Sequence, residues 1–342
     1  MAHVSLRTLL VGALGASALS VTVAQAQEPL QVVTSFSILD DMVETIGGDH
    51  VAVQSLVGPD GDVHAFSPKP ADAQSLADAD LIVVNGLQLE GWIDRLVDAS
   101  EYDGEVVVAS DGIKTRAFEG HEDEEGHDHD HDHDHDHDHD HDHDHDHDHD
   151  DHDHATAGGE EHHHHGDIDP HAWQDLENGE QYARNIRDAL VKLDPDNADD
   201  YRANAKQYIE DMEALDAETQ QRMAQIPEAN RLIITSHDAF GYFADAYDLK
   251  LLSPVGLNTL AEPSASDMAE LIQQIETSHA KALFLENMSN PALINQLHEE
   301  TGIAIGGTLY ADALTPDGEG STYLGMFHHN VDTLLDALES DD

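Results

Sequence analysis

Short apolar runs alternate with amphipathic stretches along most of this chain. In the first half the pattern predicts strands at 30–35, 51–57, 80–86 and 105–110, and helices at 38–46, 71–79 and 91–97. The strands are apolar on both faces, which is typical of a sheet that is covered by helices on each side. This half is therefore predicted to fold as an α/β lobe.

The second half repeats the alternation. It predicts strands at 231–236, 249–256, 281–287 and 303–310, and helices after His237, at 264–278, at 291–302 and at the carboxyl end up to about Leu338. Between the halves lies a stretch rich in helix formers, with Pro195 before it and Pro227 after it. About thirty helical residues would span some 45 Å. We expect an α/β fold of two lobes, 27–194 and 227–342, joined by one long rigid helix at 195–226.

The amino terminus has the pattern of a secretory signal peptide at residues 1–26. Arg7 precedes an apolar run from Leu9 to Val23, and Ala24-Gln25-Ala26 forms a cleavage site of small residues. The chain contains no cysteine, which excludes disulfides, thiolate metal ligands and a lipid-modified cysteine. We therefore expect a periplasmic protein that is not a lipoprotein.

A segment at 119–166 interrupts the first lobe without any apolar periodicity. It includes an uninterrupted His-Asp repeat from His127 to Asp150. A segment of this composition cannot bury enough apolar surface to offset its ordering entropy, so we expect a disordered loop. Its imidazoles and carboxylates predict several weak, exchanging zinc sites, which could capture or sense zinc as an accessory to a tighter site.

The net charge of −58 bears on the kind of partner that the chain binds. A surface this acidic disfavours nucleic acid and anionic membranes, and it favours cations.

Three histidines outside the repeat stand where a ligand site of an α/β protein would form. His64 lies in the loop after the second strand, His171 lies in the phrase "DPHAW", and His237 follows an apolar strand. Asp312 occupies a fourth such position, after the strand at 303–310. Ligands of α/β sheets bind beyond the carboxyl ends of the strands. A single histidine of this kind is more often structural, but four such positions together predict a metal site between the lobes.

At this point the chain resembles a known family, the metal-binding receptors of ABC importers (cluster A-I), and within it the ZnuA-like zinc receptors. The resemblance covers Leu30 to Leu338 and rests on "DPHAW", "TSHDAFGYFADAYDL", "PSASDMAELI" and "TLYADAL…YLGMFHHNVDTLLDAL". It implies two lobes joined by one long helix, with the metal held between them. Carried over by position, the implied metal ligands are His64, His171, His237 and Asp312.

The resemblance also bears on the metal. Manganese-selective relatives usually have Glu where this chain has His237, and three imidazoles with one carboxylate suit tetrahedral Zn²⁺ better than Mn²⁺. Asp312 is the least secure ligand, because water, Asp60, Asp62 or Glu286 could take the fourth position.

The function that follows is a zinc receptor that delivers Zn²⁺ to the membrane permease of an ABC importer. The alternatives are a manganese or iron receptor, and a soluble periplasmic zinc buffer or metallochaperone. We expect a monomer, and a zinc chaperone is a further candidate partner. We expect no enzymatic activity, because no His-Glu-x-x-His motif is present.

Overall fold

A computed structural model describes residues 28–117, 168–256, 259, 263–278 and 280–339. The signal peptide predicted at 1–26 and the disordered loop predicted at 119–166 lie outside these described residues.

The first lobe is built on a four-stranded parallel sheet. Its strands are β1 (Leu30–Phe36), β2 (Val51–Val57), β3 (Leu81–Val84) and β4 (Glu105–Val108), in the order β2-β1-β3-β4. Helices α1 (Ser37–Gly47), α2 (Pro70–Ala77) and α3 (Ile93–Ser100) connect the strands. All four residues of β3 are buried, as expected for a strand with helices on both faces.

Two antiparallel helices follow, and the second of them contacts both lobes. Helix α4 (Leu176–Leu193) was not predicted from the sequence, whereas α5 (Ala198–Met223) falls within the predicted long helix. A short helical turn at Pro195–Asn197 separates them, and the chain leaves α5 just before Pro227. The 26 residues of α5 give a length of about 39 Å. The domain limits at 194, 195–226 and 227 remain predictions.

The second lobe repeats the topology of the first. Its parallel strands are β5 (Leu232–Ile234), β6 (Lys250–Leu252), β7 (Ala282–Glu286) and β8 (Ala304–Leu309), in the order β6-β5-β7-β8. Its helices are α6 (Gly241–Tyr247), α7 (Ala265–Ser278), α8 (Ala292–Thr301) and α9 (Tyr323–Leu338). The predicted two-lobed α/β fold is thus confirmed.

One apolar core runs through both lobes. It extends from β1 and β3 through α1, α4 and α5 to α6 and α9, so the connecting helices are packed into the molecule along their length. A smaller core lies beneath α7 and α8. In each sheet the second strand lies on one side of the first strand and the third strand lies on the other. This change of direction creates a crevice at the carboxyl edge of the sheet, where ligands of α/β proteins bind. Among the described helices, none is both long and apolar enough to cross a membrane.

Candidate metal centre

The structure brings the four residues proposed as ligands to one point between the lobes. His64 lies in the loop after β2, and His171 lies in the turn that precedes α4. From the second lobe, His237 follows β5 and Asp312 follows β8. One donor atom from each of the four residues lies within 4.8 Å of the others.

The distances between donor atoms correspond to the edges of a small coordination polyhedron. His64 Nε2 lies 3.3 Å from His171 Nε2 and 3.2 Å from Asp312 Oδ2, and His237 Nε2 lies 3.0 Å from the same oxygen. Four ligands at the usual Zn–N and Zn–O bond lengths of about 2.0–2.1 Å would stand about 3.3–3.4 Å apart at the corners of a tetrahedron. The side chains therefore lie close to the spacing that a tetrahedral ion requires.

Asp312 supplies the negative charge of the cluster and lies in the interior of the protein. Its side chain is fully buried, and its Oδ1 has no hydrogen-bond partner within the described part of the chain. Burial alone would raise the pKa of Asp312, but the positive charges of His237 and His171 outweigh it and hold this pKa well below its usual range. A buried, ionised oxygen without a donor suits a bound cation.

A second carboxylate stands behind each of the two buried histidines. Asp169 Oδ1 accepts the Nδ1–H of His171 at 2.8 Å, and Glu286 Oε2 accepts the Nδ1–H of His237 at 2.5 Å. These bonds turn Nε2 of each ring toward the centre, where its lone pair can bind a metal once that nitrogen carries no proton, and ligand histidines are commonly oriented in this way. Both rings are therefore fixed with Nε2 toward the centre.

The electrostatics of His237 follow from these neighbours. Desolvation would lower the pKa of His237, but the carboxylates of Glu286 and Asp312 raise it well above the ordinary value. Conversely, burial would raise the pKa of Glu286, and the charge on His237 lowers it. A metal ion that binds at Nε2 must displace a proton from this ring.

His64 forms the most accessible side of the cluster. Its side chain is 8% exposed, whereas those of His171 and Asp312 are fully buried. Asp62 supports this loop because its Oδ1 accepts the backbone N–H of His64 at 2.8 Å. Its Oδ2 accepts the hydroxyl of Thr259 from the second lobe at 2.6 Å. His64 is thus the ligand nearest to solvent.

A buried polar network fixes the turn that bears His171. The side-chain amide of Asn85 donates to the carbonyl of Pro170 at 2.9 Å, and Tyr182 Oη donates to Asn85 Oδ1 at 2.7 Å. On the other side, Trp173 Nε1 donates to the carbonyl of Ala311 in the second lobe at 3.0 Å. The turn is therefore tied to both lobes beside Asp312.

The three other acidic residues considered for the fourth position have different roles. Glu286 supports His237, Asp62 supports the His64 loop, and Asp60 Oδ1 accepts the side-chain amide of Asn287 at 3.0 Å. Sequence reasoning missed Asp169, although its place two residues before His171 could have indicated an orienting carboxylate.

Comparison with known proteins places this geometry in a family context. The family model described as "Zinc-uptake complex component A periplasmic" (ZnuA) matches residues 32–337. The manganese-binding lipoprotein MntA of Halalkalibacterium halodurans is 32% identical over 312 residues, which cover 91% of this chain and 89% of that protein. The protein of the same name from Bacillus subtilis is 31% identical over 321 residues, covering 92% and 91%.

Solved structures agree with this relationship. The periplasmic zinc-binding protein TroA of Treponema pallidum superposes with a TM-score of 0.74 at 26% identity, covering 91% of this chain and 99% of TroA. A manganese-bound periplasmic metal-binding protein of Candidatus Liberibacter asiaticus gives a TM-score of 0.70 at 28% identity, covering 90% and 99%.

The relatives contradict one expectation. The exclusion of a lipoprotein rested on the absence of cysteine, yet relatives that match about nine-tenths of this chain are named lipoproteins. The absence of one residue type bears only on the chemistry of one anchor, so it was wrong to exclude the whole class on that ground. The prediction that the protein is not an enzyme is confirmed, because the family consists of solute-binding receptors of metal ABC transporters. The chain belongs to the ZnuA family of periplasmic metal-binding receptors.

Proposed function

We propose that the protein binds one Zn²⁺ between its lobes and delivers it to the permease of an ABC importer. The proposed ligands are the Nε2 atoms of His64, His171 and His237 and a carboxylate oxygen of Asp312. The observation that carries the proposal is the donor set itself, three imidazoles and one ionised carboxylate with one donor atom from each within 4.8 Å of the others.

The donor chemistry favours zinc over manganese. Imidazole suits borderline ions such as Zn²⁺, whereas Mn²⁺ prefers oxygen-rich and higher-coordinate surroundings. Glu286 contacts the ring of His237, but its Oε2 already accepts from that ring and its Oε1 from the backbone N–H groups of Ser236 and His237. The supporting bonds thus hold this carboxylate away from the metal position.

A manganese receptor is the second candidate, because the bacterial relatives at 31–32% identity are named manganese-binding. Relative affinity alone does not separate the two, since most nitrogen and oxygen sites bind Zn²⁺ more tightly than Mn²⁺. Coordination geometry is the better criterion.

The test is a Co²⁺ titration of the metal-free protein, followed by displacement with Zn²⁺ and with Mn²⁺. A tetrahedral site gives an intense visible Co²⁺ absorption that one equivalent of Zn²⁺ abolishes and excess Mn²⁺ leaves in place. The matched variant His237→Glu should weaken the absorption and allow Mn²⁺ to compete. A weak absorption typical of higher coordination, together with tight Mn²⁺ binding to the native chain, would favour the manganese receptor.

The His-Asp segment enters this proposal as an accessory. Its composition suits weak zinc capture near the receptor site, although it lies outside the described residues. Deletion of His121 to His165 should reduce the number of weakly bound zinc ions and leave one tight site. Unchanged zinc stoichiometry and unchanged growth under zinc starvation would contradict the accessory role.

The proposal also includes the partners expected from the sequence. The receptor would act as a monomer outside the cytoplasm and dock on the permease, and a zinc chaperone is a further candidate partner. The rival function of a free zinc buffer predicts that deletion of the permease does not change zinc uptake by cells that produce this protein.

A further inference from the structure

We infer that Arg116 is a positioning residue of the metal centre, which holds Asp169 against His171 and ties that ligand to helix α6 of the second lobe. The inference rests on the proposed metal site.

The two oxygens of Asp169 are divided between His171 and Arg116. Oδ1 accepts the backbone N–H of His171 at 3.0 Å and its Nδ1–H at 2.8 Å, while Oδ2 accepts from Arg116 Nη1 at 2.8 Å. The side chain of Asp169 is fully buried and that of Arg116 is 15% exposed. Without the guanidinium, a buried carboxylate would lose its countercharge, and such groups move or admit water. Either change would release the ring of His171.

The same guanidinium reaches the second lobe. Arg116 Nε donates to Asp245 Oδ2 at 2.9 Å, and Asp245 lies on α6, the helix that follows His237. The hydroxyl of Tyr242, also on α6, accepts the backbone N–H of Arg116 at 3.1 Å and donates to the carbonyl of Asp169 at 3.2 Å. Arg116 thus links the segment that carries His171 to the segment that carries His237.

Arg116 and Asp169 also lie next to each other at the two ends of the segment at 119–166. Ala117 and Ile168 form an antiparallel bridge, and the N–H of Asp169 donates to the carbonyl of Arg116 at 3.1 Å. The residues on either side of the segment at 119–166 are therefore joined directly beside the candidate ligand His171. This placement fixes both partners of the ion pair by backbone contacts as well as by charge.

Gly241 leaves the space that this arrangement needs. A Cβ atom at Gly241 would overlap the guanidinium of Arg116 and would lie 2.5 Å from Asp169 Oδ2. Gly241 starts α6 in the phrase "AFGYFA", where an alanine would otherwise favour the helix. The glycine is thus explained by the close approach of the ion pair, and it offers a way to displace Arg116 without removing its charge.

The experiment compares Arg116→Met and Gly241→Ala with the native chain. The control is Arg184→Met, which removes a partly buried i,i+4 ion pair with Glu180 on α4, away from the metal centre. We measure Zn²⁺ affinity by competition with a chelator, the visible absorption of the Co²⁺-loaded protein, and thermal unfolding of the metal-free protein. Removal of a group that supports a metal ligand typically costs 10–100-fold in affinity, and we expect about tenfold for Arg116→Met because it acts through Asp169.

The expected pattern separates positioning from general stability. Both site variants should weaken Zn²⁺ binding and alter the Co²⁺ spectrum, and the control should do neither. Addition of Arg116→Met to Asp169→Asn should cost little further affinity, because both act through His171. If Arg116→Met does not fold, Arg116→Lys and Gly241→Ala take its place. Arg116→Lys should lose less Zn²⁺ affinity than Arg116→Met, because an ammonium cannot bind the carboxylates of Asp169 and Asp245 in the fork geometry of a guanidinium.

Two results would overturn the inference. One is a native-like Zn²⁺ affinity and Co²⁺ spectrum in the folded Arg116 and Gly241 variants, with at most a lower unfolding temperature. The other is full additivity of Arg116→Met and Asp169→Asn. Failure of the native chain to bind Zn²⁺ or Co²⁺ at this site would instead count against the proposed function.

Discussion

Asp312 is the residue on which the charge of the site depends. Three imidazoles contribute no charge when they bind a metal in the neutral form, so this carboxylate alone offsets the charge of the ion among the four ligands. Its Oδ2 lies within 3.2 Å of two ring nitrogens, and its Oδ1 has no donor among the described residues. The side chain is thus placed for a cation and poorly satisfied without one.

Substitution of Asp312 should therefore affect binding far more than folding. We expect Asp312→Asn to weaken Zn²⁺ binding by at least about 100-fold, because the change removes the anionic ligand and keeps its shape. Asp317→Asn, at an exposed position of the same loop, is the control and should bind normally. Titration calorimetry with a competing chelator measures both, and an Asp312→Asn variant of native affinity would remove this residue from the ligand set.

Zinc binding should release a proton from His237. Glu286 and Asp312 raise the pKa of this ring well above its usual value, so the ring carries a proton at neutral pH until a metal takes Nε2. Affinity should therefore fall as the pH is lowered, since protons and metal compete for one nitrogen. Calorimetry in buffers of different ionisation enthalpy gives the number of protons released.

Glu286→Gln tests this account of the proton. Loss of one carboxylate should lower the pKa of His237, so fewer protons should be released at pH 7 than in the native protein. Asp317→Asn again serves as the control. Equal proton release from the native protein and Glu286→Gln would show that the proton comes from another group.

The four candidate ligands could be selected from the sequence because each lies in a loop that a simple rule places at the carboxyl edge of a sheet. The role of Arg116 could not be predicted, because it depends on the contacts of its guanidinium with Asp169 and with Asp245 of the second lobe. Backbone topology is encoded in apolar periodicity, whereas such side-chain pairings are decided only when the lobes pack.

At the scale of elements, α4 shows where sequence patterning was insufficient. The stretch Leu176–Leu193 has apolar residues at helical spacing, yet no helix was predicted there. Its start is marked by Asp175, whose side chain accepts the N–H of Glu177 as an N-cap. Helix α4 packs antiparallel to α5 and against α1 and β4 of the first lobe, whereas α5 also contacts α6 and α9 of the second lobe. The long connecting helix that was predicted is therefore α5.

The contact between α4 and Tyr323, the first residue of α9, depends on Gly179. A Cβ at this position would lie 2.6 Å from the hydroxyl oxygen of Tyr323, which donates to the carbonyl of Trp173 beside His171. Gly179→Ala should therefore destabilise the protein by about 1–2 kcal/mol, because overpacking exceeds the gain in helix propensity. Gly91→Ala, where a Cβ meets no atom within 4 Å, is the control for urea unfolding. A stabilised Gly179→Ala variant would show that α9 can move away without cost.

At the scale of the whole molecule, repeated topology and a shared core together produce the site. Each lobe presents the carboxyl edge of a parallel sheet, and each supplies two of the four candidate ligands. The apolar core continues through α4 and α5 between the lobes, so the two edges face each other in a fixed relation. We therefore expect small lobe displacements on metal binding rather than the wide hinge motion that two independent cores would permit.

Carboxyls with raised pKa values should make the metal-free protein more stable in mild acid. Asp40 and Asp41 on α1 are desolvated by burial, and with the neighbouring charge of Glu44 this raises the pKa of each to about 6. A carboxyl whose folded pKa exceeds its unfolded value binds more protons in the folded state, so the free energy of unfolding rises as the pH falls from 7 to 5. Asp169, Glu286 and Asp312 have lowered pKa values, so their opposite effect appears only below about pH 4.

Urea unfolding of chelator-treated protein at pH 7, 6 and 5 tests this dependence. The double variant Asp40→Asn with Asp41→Asn should be more stable than the native chain at pH 7, and its stability should depend less on pH in this range. Part of the dependence should remain, because burial also raises the pKa values of Asp175 and Asp238 to about 6. After allowance for solvent screening we expect a difference of about 2 kcal/mol. Asparagine retains an oxygen for the N–H of Tyr323, which donates to Asp41 at 2.9 Å, so the packing of α9 on α1 should survive. Asp78→Asn, at an exposed position, controls for the loss of one negative charge from the surface. If the double variant keeps the full native pH dependence, the stabilisation in acid does not arise from Asp40 and Asp41.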